Sequence, residues 1–124
     1  MNVIDSSGWL EYFADAPNAD FFSPAIESFS ELVVPSISIY EVFKKVLQQR
    51  DESAALQAIA VMLQGLVVDL DASLALSAAQ TSIELGLPMA DSVILATSRA
   101  HEAILWTQDS DFAGMDGVKY IEKT

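Results

Sequence analysis

Short apolar runs alternate with longer helical segments along the chain, and this alternation constrains the fold more than any other feature. Five runs suit buried strands, at 2–4, 31–34, 66–70, 103–106 and 119–121. The segments between them carry apolar residues at helical spacing. Strands that alternate with helices are joined by βαβ crossovers, which place the strands parallel in one sheet. The sequence therefore predicts an α/β fold with a parallel sheet.

The same pattern predicts six helices and one unbroken unit. The helices are expected at 6–13, 20–29, 38–49, 52–63, 73–84 and 89–101, with a short turn or helix around Phe112. The fifth begins at a serine cap, Ser73, and ends at Gly86 with Pro88 just beyond, a typical stop signal. The sequence contains no repeat, linker or low-complexity segment. We therefore expect a single domain over residues 1–124.

The composition restricts the chemistry of any metal site. The chain has no cysteine and one histidine, His101. This excludes disulfides, thiolate metal sites and a multi-histidine zinc site within one chain, and it suggests a reducing compartment. A metal would have to be bound by oxygen, which favours Mg²⁺ or Mn²⁺ and less strongly Ca²⁺.

Hydropathy and charge point to a cytoplasmic protein with a basic partner. The first apolar run is too short for a signal peptide, and the apolar region 54–70 is too short and too interrupted to span a membrane. Eighteen acidic residues against six basic ones give a net charge of −12. Because polyanions are normally bound by Lys and Arg, this balance alone favours a basic partner protein over a nucleic acid.

Four carboxylates stand at the edges of predicted elements: Asp5, Glu41, Asp91 and Asp109. A parallel sheet gathers such positions at the carboxyl ends of its strands, where α/β folds bind ligands. Two carboxylates about 4 Å apart repel by about 4 kcal/mol at an effective dielectric constant of about 20. A bound cation would relieve that repulsion, so the four acids together predict a divalent-metal site.

Each acid also has an ordinary local explanation. Asp5 can cap the first helix, and Asp91 lies in a first helical turn where the helix dipole favours negative charge. Glu41 ends the pattern Ser38-Ile39-Tyr40-Glu41, which fits an S-x-x-E capping box. Asp109 lies in a polar stretch typical of turns. By spacing, Asp111 is as plausible a ligand as Asp109.

Four short motifs in order resemble those of the PIN-domain nucleases, and within them the VapC-type toxins of bacterial and archaeal toxin–antitoxin pairs. The resemblance covers nearly the whole chain. The motifs are Val3-Ile4-Asp5-Ser6-Ser7 with Trp9, Ser38-Ile39-Tyr40-Glu41-Val42, Ala90-Asp91-Ser92-Val93-Ile94-Leu95-Ala96-Thr97, and Leu105-Trp106-Thr107-Gln108-Asp109-Ser110-Asp111-Phe112.

The resemblance implies a three-layer α/β/α sandwich with a central, mostly parallel sheet of four to five strands and an acidic pocket. It implies a homodimeric Mg²⁺- or Mn²⁺-dependent endoribonuclease that a cognate antitoxin neutralises, commonly through a basic segment placed at the pocket. The catalytic, metal-binding acids would then be Asp5, Glu41, Asp91 and Asp109, with Asp111 as a possible additional ligand. Ser6 and Thr107 would be supporting polar residues.

An acidic chain that binds RNA would need a few basic residues near its groove. The candidates for phosphate contacts are Lys44, Lys45, Arg50 and Arg99. For each of them, solvation at the surface or packing of the aliphatic stem is an alternative.

Three other functions compete with the nuclease toxin. One is a non-catalytic PIN-like module that only binds a protein, and another is a PIN nuclease in RNA processing outside a toxin–antitoxin system. The third is a phosphoacceptor receiver domain, which would need further acids beside the first strand. Ser6 and Ser7 stand there instead, so this third interpretation ranks low.

Overall fold

A five-stranded parallel sheet lies at the centre of the computed structural model, which describes residues 1–124. The strand order is β3-β2-β1-β4-β5, and every neighbouring pair is parallel. The predicted α/β fold with a parallel sheet is therefore confirmed. The strands are β1 (Asn2–Ile4), β2 (Leu32–Pro35), β3 (Leu66–Val68), β4 (Ile104–Thr107) and β5 (Val118–Tyr120).

Six α-helices connect and cover the strands, as predicted. They are α1 (Ser6–Phe13), α2 (Ala19–Glu27), α3 (Ser36–Gln49), α4 (Glu52–Met62), α5 (Ala72–Leu85) and α6 (Met89–Ala100). Short 3₁₀ turns cover Phe29–Glu31 and Ser110–Phe112. None of the helices is long and apolar enough to cross a membrane.

The two ends of α5 test the predicted start and stop signals. The helix does end where predicted, because Gly86 forms a left-handed cap with φ of 67°. The predicted serine cap at Ser73 is wrong. The Asp71 side chain caps this helix instead, accepting a hydrogen bond from the Leu74 N–H at 2.8 Å.

Apolar layers cover both faces of the sheet, which gives the three-layer α/β/α arrangement. On one face, Ile4 and Val34 pack with Trp9, Phe22 and residues of α3 and α4. On the other face, neighbouring strand residues such as Val3 and Val33 pack with residues of α6 and with Phe112. Buried faces on both sides explain why the strands are continuous apolar runs rather than alternating patterns.

The strand order determines which chain segments meet at the carboxyl edge of the sheet. β1 is central, with β2 on one side and β4 on the other. Asp5 directly follows β1, α3 directly follows β2, and Gln108 and Asp109 directly follow β4. Helix α6 packs against β1, β2 and β4. Segments that are far apart in sequence therefore converge at one place.

Candidate metal centre

Asp5 lies at the carboxyl end of the central strand and is only 3% exposed. One carboxylate oxygen accepts a hydrogen bond from the Ser6 N–H at 2.9 Å and so caps α1. The other accepts hydrogen bonds from the hydroxyls of Ser7 and Thr107, both at 2.9 Å. Burial raises the pKa of Asp5, the hydroxyl bonds lower it in part, and nearby Asp109 raises it again. The carboxylate thus combines the expected capping contact with a fixed position in the acidic cluster.

The Glu41 carboxylate is hydrogen-bonded to Ser6, the residue after Asp5, and does not cap its own helix. The capping-box explanation is wrong because α3 begins two residues earlier, directly after Pro35. Ser38 therefore lies inside the helix, where its buried hydroxyl has no hydrogen-bond partner. The Ser6 hydroxyl instead donates to Glu41 Oε1 at 2.7 Å. Ser6 thus joins Asp5 and Glu41, through its backbone N–H and its hydroxyl respectively.

Asp91 lies in the first turn of α6 and is half-buried. Burial is the largest influence and raises the pKa of Asp91, to about 7 with the added repulsion of neighbouring acids. Those neighbours are Asp5, Asp109, Glu41 and Asp111. Of these four acids, Asp109 and Asp111 each bring a carboxylate oxygen within 4.8 Å of an oxygen of Asp91.

Asp109 and Asp111 follow β4 in a short 3₁₀ turn. The Asp109 side chain caps this turn, and the hydrogen bond fixes its position. The Asp109 N–H donates to Thr107 Oγ1 at 2.9 Å, and Asp109 Oδ1 accepts from the Asp111 N–H at 2.9 Å. Phe112, which is fully buried, anchors the end of the turn in the core. The turn expected from sequence therefore exists, and it does not remove these acids from the cluster.

The carboxylates suit a hard divalent cation. Asp91, Asp109 and Asp111 can each supply one oxygen, and these three oxygens lie within 4.8 Å of one another. Oxygen-only donors of this kind are the ligands that Mg²⁺ and Mn²⁺ prefer. The raised pKa of Asp91 also means that the cluster carries repulsion that a cation would offset. Asp111 thus belongs to the same group of oxygens as Asp109.

A family model described as the PIN domain matches residues 3–118. The chain belongs to the PIN domain family. No curated protein matches the sequence, so further comparison rests on solved structures.

Several solved structures share the fold of this PIN domain at low sequence identity. A toxin–antitoxin complex from Klebsiella pneumoniae has a TM-score of 0.79 and 22% identity, with 96% of each chain covered. VapC20 from Mycobacterium tuberculosis, described as a sarcin-ricin loop cleaving toxin, has a TM-score of 0.77 and 19% identity, covering 95% of this chain and 98% of that one. VapBC2 from Rickettsia felis, bound to a promoter DNA fragment, has a TM-score of 0.73 and 14% identity, covering 98% and 97%.

The four basic residues predicted to contact phosphate lie in two different settings in the PIN domain. Lys44 and Lys45 are exposed on α3 and line a cavity together with Glu41. Arg50 follows the end of α3, about 13 Å along the helix from Glu41. Arg99 lies in the last turn of α6, about 12 Å along that helix from Asp91. The structure therefore brings the two lysines, and not the two arginines, next to Glu41.

A polar network that no sequence motif indicates supports the turn carrying Asp109 and Asp111. The Gln108 side chain accepts from Asn18 Nδ2 at 3.0 Å and donates to Glu11 Oε1 at 3.1 Å. Glu11 also accepts from the Asn18 N–H at 2.9 Å. The only sequence signal was the place of Gln108 between Thr107 and Asp109. Its partners come from the far end of the chain and could not be paired with it from sequence.

Proposed function

We propose that this PIN domain is a metal-dependent endoribonuclease and the toxin of a toxin–antitoxin pair. The observation that carries the proposal is the convergence of Asp91, Asp109 and Asp111, with one oxygen of each within 4.8 Å of the others. Holding like charges together while burying one of them destabilises a fold unless a ligand compensates. A module that only binds a protein has no need for such a cluster, which favours the enzyme over that alternative.

The proposed metal ligands are the acids identified from sequence. Asp5, Glu41, Asp91 and Asp109 would hold Mg²⁺ or Mn²⁺, with Asp111 as an additional ligand. When bound, such a cation lowers the pKa of a water molecule and offsets the charge that develops on the phosphate. Ser6, Ser7 and Thr107 would act as positioning residues, since their hydrogen bonds fix the carboxylates of Asp5 and Glu41.

The toxin assignment is supported by the structural neighbours and by the charge. The neighbours include toxin–antitoxin complexes and a toxin described as cleaving the sarcin-ricin loop. A net charge of −12 would suit an antitoxin that inserts a basic segment at the acidic pocket. We propose further that the toxin acts on cellular RNA in the cytoplasm, as a homodimer.

An RNA cleavage assay with Mg²⁺, Mn²⁺ or a chelator tests the nuclease. We expect the wild type to cut RNA only when metal is present. Asp5→Asn and Asp91→Asn should each lose activity by more than about 100-fold, because substituting a residue that only orients a metal ligand already costs about 10–100-fold. Asp69→Asn is the matched control, since it removes one negative charge from an exposed position just before α5. Equal cutting by wild type and site variants, or activity that survives chelation, would contradict the mechanism.

Growth measurements test the toxin role separately. Induced expression of the wild type is expected to arrest growth, Asp91→Asn to leave growth unaffected, and co-expression of a small basic protein encoded directly upstream to relieve the arrest. A chain that cuts RNA in vitro without arresting growth would instead be a PIN nuclease of RNA processing.

A further inference from the structure

The few basic residues of this acidic chain are placed unevenly around the acidic cluster. Lys44 and Lys45 line one cavity with Glu41, and Lys123 lines another with Asp109. The ammonium group of Lys119 is engaged elsewhere, 4.5 Å from the centre of the Trp106 ring. Arg50 and Arg99 lie at remote helix ends, as described above. Half of the six cations are thus found where a chain crossing the acids would pass.

The cavity on α3, which we call the α3 cavity, has a volume of about 220 Å³ and is lined by Tyr40, Lys44, Lys45, Gln48 and Glu41. The Tyr40 side chain is 63% exposed, although tyrosine is commonly packed. The Lys44 ammonium lies 5.6 Å from the centre of its ring. An exposed aromatic ring beside a cation is the pairing that holds a nucleic-acid base and the adjoining phosphate.

A second cavity, which we call the β5 cavity, has a volume of about 470 Å³ and also contains a tyrosine and a lysine. Its lining consists of Tyr120, Lys123, Ser7, Gln108, Ser110 and the two acids Asp109 and Glu122. Tyr120 is half-buried and Lys123 is exposed. Gln108 is held in place by the buried network with Asn18 and Glu11, so this part of the wall is rigid.

The strand order places the two cavities on opposite sides of Asp5. The α3 cavity lies on the helix that follows β2, and the β5 cavity is lined by residues at and beyond the end of β5. Between β2 and β5 lie β1, which ends at Asp5, and β4, which leads to Asp109. Three strand spacings separate β2 from β5, or about 14 Å. The acidic cluster therefore lies between two cavities that each contain a tyrosine and at least one lysine.

From this arrangement we infer that the two nucleotides flanking the cleaved phosphate of the RNA occupy the α3 cavity and the β5 cavity, on either side of the acidic cluster. One base stacks on Tyr40 and the other on Tyr120, and the lysines contact the neighbouring phosphates. Paired bases in a duplex are stacked on each other and leave no free face for the tyrosines. The inference rests on the proposed nuclease function.

Steady-state cleavage by the full chain, as a function of salt, tests the inference. The substrates are an unstructured fluorescent RNA oligonucleotide, its duplex, and bis(p-nitrophenyl) phosphate, a small diester that reaches only the acids. We expect Tyr40→Ala and Tyr120→Ala each to raise KM for the single strand by about 5–150-fold, the range for removal of one stacking ring. The double variant Lys44→Ala/Lys45→Ala and the variant Lys123→Ala should raise the same KM.

The salt dependence separates phosphate binding by the lysines from general charge effects. Log affinity falls with log salt, and for a single strand each lysine that binds a phosphate contributes about 0.7 to the steepness of that fall. Removing one such lysine therefore reduces the magnitude of the slope by about 0.7. We therefore expect a fall of about 0.7 in Lys123→Ala and about 1.4 in the double lysine variant, and no fall in Arg50→Ala or Arg99→Ala. In the lysine variants, kcat/KM for the small diester should change much less than kcat/KM for RNA.

The outcomes distinguish failure of this inference from failure of the nuclease assignment. If the wild type cuts neither RNA nor the small diester with metal present, the proposed function is wrong. If the wild type cuts RNA but the tyrosine and lysine variants match the arginine controls, the nuclease stands and the two-cavity path is wrong. Equal cleavage of the duplex and the single strand, or slopes that fall equally in the arginine variants, would also overturn the path.

Discussion

Thr107 connects two of the acids through one hydroxyl group. Its Oγ1 donates to Asp5 and accepts from the Asp109 N–H, both at 2.9 Å. Thr107→Val keeps the shape and removes both hydrogen bonds, which leaves a buried Asp5 oxygen and the Asp109 N–H without this partner. We expect the affinity for Mn²⁺, measured by isothermal titration calorimetry, to fall by about 10–100-fold, the usual effect of removing a group that orients a metal ligand.

Thr97→Val is the matched control for that substitution. Thr97 is also a buried threonine, but its hydroxyl donates to the Val93 carbonyl oxygen within α6 and does not contact an acid. Its replacement should leave Mn²⁺ affinity within about twofold of the wild type, because the ligand-orienting hydrogen bonds are intact. Equal affinities in the two variants would show that Thr107 does not position the carboxylates.

The pKa of Asp91, raised from 3.8 to about 7, makes the metal-free protein sensitive to pH. A carboxyl group whose pKa is higher in the folded state than in the unfolded state stabilises the fold at pH values where it is protonated in both states. That contribution is lost as the pH rises from about 3.8 to about 7. With a chelator present, we therefore expect Asp91→Asn to unfold at a higher temperature than the wild type near pH 8, and the difference to shrink toward pH 4.

Thermal unfolding across this pH range measures the effect, with Asp69→Asn as the control for removal of one exposed charge. If the difference in melting temperature between Asp91→Asn and the wild type widens toward low pH, the sign is opposite to the expected one. Repulsion of the ionised Asp91 would then not limit stability. Saturating Mg²⁺ should reduce the gap near pH 8, because a bound cation stabilises the ionised wild-type site and not the variant.

At the scale of elements, α1 depends on a close approach to α2 that only glycine permits. A Cβ built on Gly8 would lie 2.6 Å from Cε1 of Phe22 and 2.8 Å from Cγ2 of Ile4. Both neighbours are fully buried. We expect Gly8→Ala to lower the free energy of unfolding by roughly 1–2 kcal/mol in urea titration. A contact of 2.6 Å places the overpacking cost in the upper part of the range of about 1–3 kcal/mol, and the gain in helix propensity offsets roughly 1 kcal/mol of it.

Ala60→Ser serves as the comparison because it adds one heavy atom at an exposed position of α4. It should change the free energy of unfolding by no more than about 0.5 kcal/mol. If Gly8→Ala is as stable as Ala60→Ser, then the α1–α2 packing is loose enough to absorb a methyl group.

The existence and order of the elements were predictable from sequence, whereas several helix starts were not. Apolar runs and helical spacing identified all five strands and six helices, because these signals extend over many residues. Single-residue caps were ambiguous. Ser38 fits a capping box by sequence, but α3 begins directly after Pro35 and Ser38 lies inside the helix. Ser73 fits a helix cap, but Asp71 caps α5. Local patterns of three or four residues occur inside helices as well as at their ends.

The acids of the candidate site were predictable for a related reason. The parallel sheet brings the carboxyl ends of its strands together, so Asp5 and Asp109 could be placed near each other without knowing their side-chain contacts. What sequence could not supply was the partner of each oxygen. The Ser6–Glu41 hydrogen bond and the Gln108 network join segments that are paired only by the strand order.

At the scale of the whole molecule, a net charge of −12 should make the stability of the metal-free protein increase with salt. Raising NaCl from about 20 mM to about 300 mM shortens the screening length and reduces the repulsion among acids. A relief of about 1 kcal/mol would raise the melting temperature by roughly 3–6 °C. RNA binding should weaken over the same range, so the two responses to salt are opposite in sign.

Differential scanning fluorimetry with a chelator measures this response, and choline chloride is the control. If the melting temperature rises equally with choline chloride, the cause is screening of the repulsion among acids. A bulky organic cation would not fit a carboxylate site built for a small ion. A melting temperature that is flat or falls with both salts would show that the excess of acids does not limit stability.

The hydrogen bond between Asp5 and Thr107 joins residues that are 102 positions apart. During translation Asp5 leaves the ribosome first, and β4 with the turn that carries Asp109 emerges only after about 100 further residues have been added. Domains fold as units while the ribosome adds roughly 5–20 residues per second. A nascent chain therefore cannot assemble the acidic cluster until β4 and the turn that follows it have appeared, about 5–20 seconds after Asp5 at that rate.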